Sequence, residues 1–70
     1  MDLLHPYPTL RQVIVNTTTE RAFRGVLWRK RRGYLVLRNA EMLKGGGDVV
    51  QMDGEVVVPA DKVDFIQVVS

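Results

Sequence analysis

In QVIV (12–15), YLVL (34–37) and DFIQVV (64–69), apolar side chains occupy both parities of a β-strand. Val13 and Val15 alternate with Ile14, Leu35 and Leu37 with Tyr34 and Val36, and Phe65 and Val69 with Ile66 and Val68. A solvated antiparallel sheet alternates apolar with polar residues, because one of its faces meets water. A chain of 70 residues is too small to cover both faces of every strand with its own mass. The second face, or an open edge strand, is therefore predicted to meet another subunit.

Composition supports that demand. Small domains rely on disulfides, a metal or oligomerisation. The chain has no cysteine and a single histidine, His5, which removes disulfides and thiolate metal sites and leaves His5 without a second imidazole. Self-association is the device that remains. No apolar run approaches the roughly 20 residues of a membrane span, and MDLLHPYP lacks a basic region followed by a long apolar stretch. A cytoplasmic protein with no membrane partner is the expectation.

Along the chain the pattern is β throughout. Pro6 and Pro8 forbid a continuous helix at the start, so at most one helical turn begins near Thr9, and residues 1–11 read as an N-terminal segment. A single domain follows over 12–70. QVIVN is rich in β-branched residues, TTTE is polar, and RAFRGVLW is the second strand. YLVL opens the third strand, which continues towards Met42. KGGGD is a flexible loop. VVQMDGEVVV is the fourth strand, with a bend or bulge expected at Gly54. ADK is a tight connection, and VDFIQVV is the last strand. Five strands with short connections and no amphipathic helix predict a small all-β barrel or sandwich.

The order of residues also resembles the Sm and Sm-like (LSm) proteins. QVIVNTTTERAFRGVL is similar to their first two strands, with Val13, Val15, Phe23, Gly25 and Leu27 at the V-x-V, aromatic and G-x-L places. GYLVLRNAEML resembles their third strand, and DGEVVVPADKVDFIQV their second motif. The resemblance runs over about residues 12 to 69. It implies a strongly bent, five-stranded antiparallel barrel of SH3-like shape, joined fourth strand to fifth into a closed homo-oligomeric ring. Such head-to-tail contacts close when the rotation permits. Small phage and bacterial Sm-like proteins are the nearest style of relative.

The departures bear on function. RNA-binding members use an Asp and an Asn between strands two and three, where this chain has Arg31 and, at or beside the Asn place, Tyr34. An Arg-Gly pair after the fourth strand is replaced by Pro59 and Ala60. The Tyr-Lys-His run of the bacterial RNA chaperone Hfq is absent. The resemblance thus implies the ring without the familiar uracil pocket.

What stands in that region is RKRR, residues 29–32. Residues 1–38 hold eight basic side chains against Asp2 and Glu20, a balance of +6, and residues 39–70 balance at −4. Such asymmetry marks an anion-binding face or two faces that attract each other between subunits. A solvated hairpin tip is the bland reading of the run. In a ring, the resemblance turns this loop to the pore, where five to seven copies gather about 20 to 28 positive charges that a polyanion would neutralise. The candidate nucleic-acid-binding residues are therefore Arg29, Lys30, Arg31 and Arg32, with Tyr34 as a stacking aromatic and Lys62 from the last turn. Trp28 follows its strand's apolar period and is read as an interface or core residue, and His5 and Tyr7 as packing or turn residues.

Catalysis is not expected. The only serine is Ser70, and His5 has no triad partner on a fixed element. KGGGD is not a phosphate loop, since its lysine precedes the glycines and no helix follows. The reading is a ring without cofactor, metal or small-molecule substrate that binds RNA or single-stranded nucleic acid. The alternatives are a scaffolding ring that ignores nucleic acid and a monomeric protein-recognition module.

Overall fold

β-Branched runs broken by Thr-, Gly- and Pro-containing turns yield six antiparallel strands in the structure, a computed structural model that describes residues 8–70. They are β1 (Gln12–Thr17), β2 (Ala22–Arg31), β3 (Tyr34–Leu43), β4 (Val49–Gln51), β5 (Glu55–Pro59) and β6 (Val63–Val68). The order in the sheet is β4-β3-β2-β1-β6, and β5 pairs with the first half of β3. β4 and β5 are the two pieces of the predicted fourth strand. The break falls at residues 52–54, where Gly54 has φ +72° and turns the chain out of the ladder. The expected helical turn near Thr9 is a plain turn over Thr9 and Leu10. His5 and Tyr7 lie outside the described residues.

The sheet bends at one place above all. Arg24 pairs with Glu41 and Val26 with Arg38, so Gly25 alone faces both Asn39 and Ala40. Asn39 takes φ +51° there, a left-handed conformation that asparagine tolerates and β-branched residues do not. The extra residue kinks the long β2–β3 hairpin, as bulges do. A second bulge, between Leu27 and Arg29, sets Trp28 outside the regular register. Asn39→Gly is expected to leave stability unchanged or slightly raised, while Asn39→Val loses about 1–2 kcal/mol. Thermal unfolding followed by circular dichroism checks both.

The bend closes the strands over a core of Val13, Val15, Leu27, Leu35, Leu37, Ala40 and Val58, with Phe23, Met52, Val56, Val63 and Ile66 packed around it. Val36 is almost as buried, at 4% exposure, yet lies outside that cluster. It points to the opposite face, where Arg29 and Val57 pair with it on either side. This is the two-faced burial read from YLVL.

Closure is completed by a 3-10 turn, Ala60–Lys62, that carries the chain from β5 to β6. Its Ala60 N–H donates to the Gly33 carbonyl (2.8 Å), and its Lys62 carbonyl accepts from the Thr18 N–H (2.8 Å). The turn thus ties the tip of the β2–β3 hairpin to the β1–β2 turn. Thr17, the buried polar residue, holds the latter: its hydroxyl donates to the Arg21 carbonyl (3.0 Å) and accepts from the Arg21 N–H (3.2 Å). Among the described residues, no buried side-chain nitrogen or oxygen lacks a hydrogen-bond partner. No pairing joins β5 to β6, so both keep one free edge.

Candidate nucleic-acid interface

Arg31 and Tyr34 are the last pair of the β2–β3 hairpin. Arg32 and Gly33 form its two-residue turn, and Gly33 supplies the positive φ (+76°) that the second central position of a type II turn requires. Three of the four basic residues therefore belong to a strand, and only Arg32 is at the tip.

Strand pairing then divides the run. Leu27 pairs with Leu37, both fully buried. After the bulge at Trp28, Arg29 pairs with Val36 and Arg31 with Tyr34, on the outer face, whereas Lys30 pairs with Leu35 on the core side. RKRR is thus not one cluster. Arg29, Arg31 and Arg32 are exposed and Lys30 is half-buried.

The outer face at this end is a three-strand surface. One row is Arg31, Tyr34 and Pro59; the next is Arg29, Val36 and Val57. Tyr34 is 49% exposed and Val57 53%. The third row holds a feature that composition alone did not expose. The Arg38 guanidinium lies 3.9 Å from the centre of the Trp28 ring, while its Nε and Nη2 donate to Glu55 Oε2 at 3.0 and 2.9 Å. Such a stack is worth about 0.5–1 kcal/mol at an exposed site, and it covers one face of Trp28.

Charge compensation is uneven. Among the described residues, Arg24 pairs with Glu41 at 3.4 Å and Arg38 with Glu55. Arg29, Arg31 and Arg32 have no carboxylate within ion-pairing distance among the described residues. Lys62 ends the 3-10 turn that begins at Gly33's hydrogen-bond partner, and it lines a cavity of about 220 Å³ together with Arg21. The structure therefore brings Arg29, Arg31, Arg32 and Tyr34 together and sets Lys30 and Lys62 apart from them. No group of three or more His, Cys, Asp or Glu side chains among the described residues is placed to hold a metal, and no helix there is long and apolar enough to cross a membrane.

A six-piece, sharply bent antiparallel barrel with two unlike free edges and a 3-10 corner before its last strand is the architecture of an Sm-type domain. The sequence matches no family profile and no curated protein. Among solved structures, a heptameric archaeal Sm protein is 31% identical, with a TM-score of 0.76 over 87% of this chain and 88% of that one. The P. aerophilum SmAP1 heptamer gives the same identity and score, covering 87% of this chain and 81% of its own. A chain of the NatC complex, crystallised with CoA, is 28% identical, with a TM-score of 0.74 over 86% and 77%. The chain belongs to the Sm family.

Proposed function

We propose that this chain assembles edge to edge into a closed Sm-type ring that binds RNA, or single-stranded nucleic acid generally, without catalysis. The two similar archaeal proteins are heptamers, and the free edges of β5 and β6 are what such an assembly consumes. The binding surface is Arg29, Arg31 and Arg32 with Tyr34, and the observation that carries it is the uncompensated charge of those three arginines beside an exposed aromatic ring. Guanidinium groups contact phosphates without regard to sequence. Tyr34 adds stacking that any base accepts. Lys30 and Lys62 have lesser parts, because of where their strand and turn direct them. The setting we infer is cytoplasmic, with no cofactor and no small-molecule substrate.

Fluorescence anisotropy with labelled oligo-uridine, oligo-adenosine and single-stranded DNA, at low and high salt, tests this reading. Binding that falls steeply with salt and differs little among the three is expected. Absence of binding even at low salt would favour the second reading, a scaffolding ring. That reading has its own support: the backbone at Ala60, where the family's Arg-Gly pair is replaced, is spent on a hydrogen bond to Gly33.

A further inference from the structure

The break between β4 and β5 contains the dipeptide Asp53–Gly54. Both residues are exposed, and neither belongs to a strand. Among the described residues, no ion pair or hydrogen bond holds the Asp53 carboxylate, and no turn hydrogen bond holds the Gly54 N–H. A Cβ added at Gly54 would meet nothing within 4 Å, so the surroundings are open as well. No other described acid or amide of this type has such a neighbour. Asp48, Asp61 and Asp64 are followed by Val49, Lys62 and Phe65, and Asn16 and Asn39 by Thr17 and Ala40. A side chain on the following residue crowds the approach of that residue's own nitrogen, and glycine alone has none. The two ends of the break are fastened. The Met52 N–H donates to the Ala40 carbonyl (2.9 Å). Glu55 pairs with Arg38 in the ladder, and its carboxylate holds the guanidinium that lies on Trp28.

We infer that Asp53–Gly54 is a site of spontaneous covalent modification, at which aspartate becomes isoaspartate and the lengthened chain releases Glu55 from Arg38. The Gly54 nitrogen attacks the side-chain carboxyl carbon of Asp53. A C–N bond forms, a C–O bond breaks, and the displaced oxygen leaves as water with the amide proton and the carboxyl proton. Water then adds to the main-chain carbonyl carbon of Asp53 within the five-membered imide. That carbon's bond to the Gly54 nitrogen breaks, and the nitrogen recovers a proton. The chain now runs through Cβ and Cγ of residue 53, and the former main-chain carbonyl is a free carboxylate. Mass and charge are unchanged, and water is the only co-reactant. The main chain has gained one carbon, about 1.5 Å of bond length. With Met52 fastened to Ala40, that length falls on the start of β5, where Glu55 slips against Arg38 and the stack on Trp28 loosens. Neither the ring nor nucleic-acid binding is needed for this inference.

The test is ageing of the folded full chain in warm neutral buffer over several weeks. Isoaspartate is located by peptide mass spectrometry with electron-transfer fragmentation and counted by enzymatic methylation with S-adenosylmethionine. Trp28 is the only tryptophan, so its emission reports the stack directly. Isoaspartate is expected at residue 53 in at least about tenfold excess over residues 48, 61 and 64, because only residue 53 precedes a glycine. Trp28 emission is expected to shift in step with it. Asp53→Glu keeps the charge but demands a larger ring, and should abolish both changes. Gly54→Ala should slow them by about tenfold, with circular dichroism confirming that each variant is folded. No isoaspartate at residue 53, or equal amounts at the other aspartates, would overturn the site. Isoaspartate that forms while Trp28 emission stays constant would overturn the release of Arg38.

Discussion

Replacing Gly25 by Ala is expected to lower the stability of this domain by about 1–3 kcal/mol. A Cβ built at Gly25 would lie 3.0 Å from the Ala40 Cα and 3.0 Å from the Arg38 carbonyl oxygen. Both are backbone atoms of the bulge, so no side chain can rotate away to make room. Nor can β2 retreat freely, since Gly25 also pairs with Val13, a fully buried core residue. A 70-residue domain holds only roughly 4–10 kcal/mol in total, and each kcal/mol is worth about 4–8 °C in a domain this size. A drop of roughly 10 °C in the melting midpoint is therefore expected, measured at one fixed protein concentration because assembly also stabilises. Gly25→Val should be worse. An unchanged midpoint would mean that the two strands do not approach as closely as described.

The second large effect is on binding. The triple change Arg29→Ala, Arg31→Ala and Arg32→Ala is expected to weaken single-stranded RNA binding by on the order of 100-fold at low salt, and to flatten the salt dependence. Three lost phosphate contacts reduce the slope of log K against log salt by about 2 for each copy engaged, at roughly 0.7 per contact on a single strand. Lys30→Ala should do little, since pairing turns Lys30 to the other side of the strand. Tyr34→Ala should cost about 1–3 kcal/mol for the base it stacks, with the salt slope unchanged. Anisotropy titrations at several salt concentrations separate the three outcomes. Equal losses for the triple variant and Lys30→Ala would mean that the run acts as a diffuse charge, not as the face described here.

Much of this architecture is legible in the residues themselves. The two-sided apolar runs announce that Val36 is covered on the face away from the core, and that Phe65 and Val69, still exposed in the single chain, need something outside it. Gly54 marks the break between β4 and β5. The division of RKRR is less visible, for a physical reason. Alternation counted forward from Leu27 would place Arg29 inside and Lys30 outside, but the bulge at Trp28 shifts the register by one and exchanges the two faces. Bulges have weak local signatures when the residue is not glycine. Asn39 is the one clue to the other bulge, because asparagine accepts positive φ, yet within YLVLRNAEML it reads as an ordinary strand residue. The cavity was equally hidden, since it joins Thr19 and Arg21 to Val56 and Lys62 across a gap that only closure of the barrel creates.

Two unlike free edges on one small barrel make each copy a link with a head and a tail. In a ring built from such links, a copy whose β5 edge is blocked, as by Val57→Pro, can still dock its β6 on a neighbour but offers nothing to the next. It acts as a chain terminator. A minority of such copies mixed with intact ones should therefore poison far more rings than their own number, because a single blocked join leaves the whole circle open.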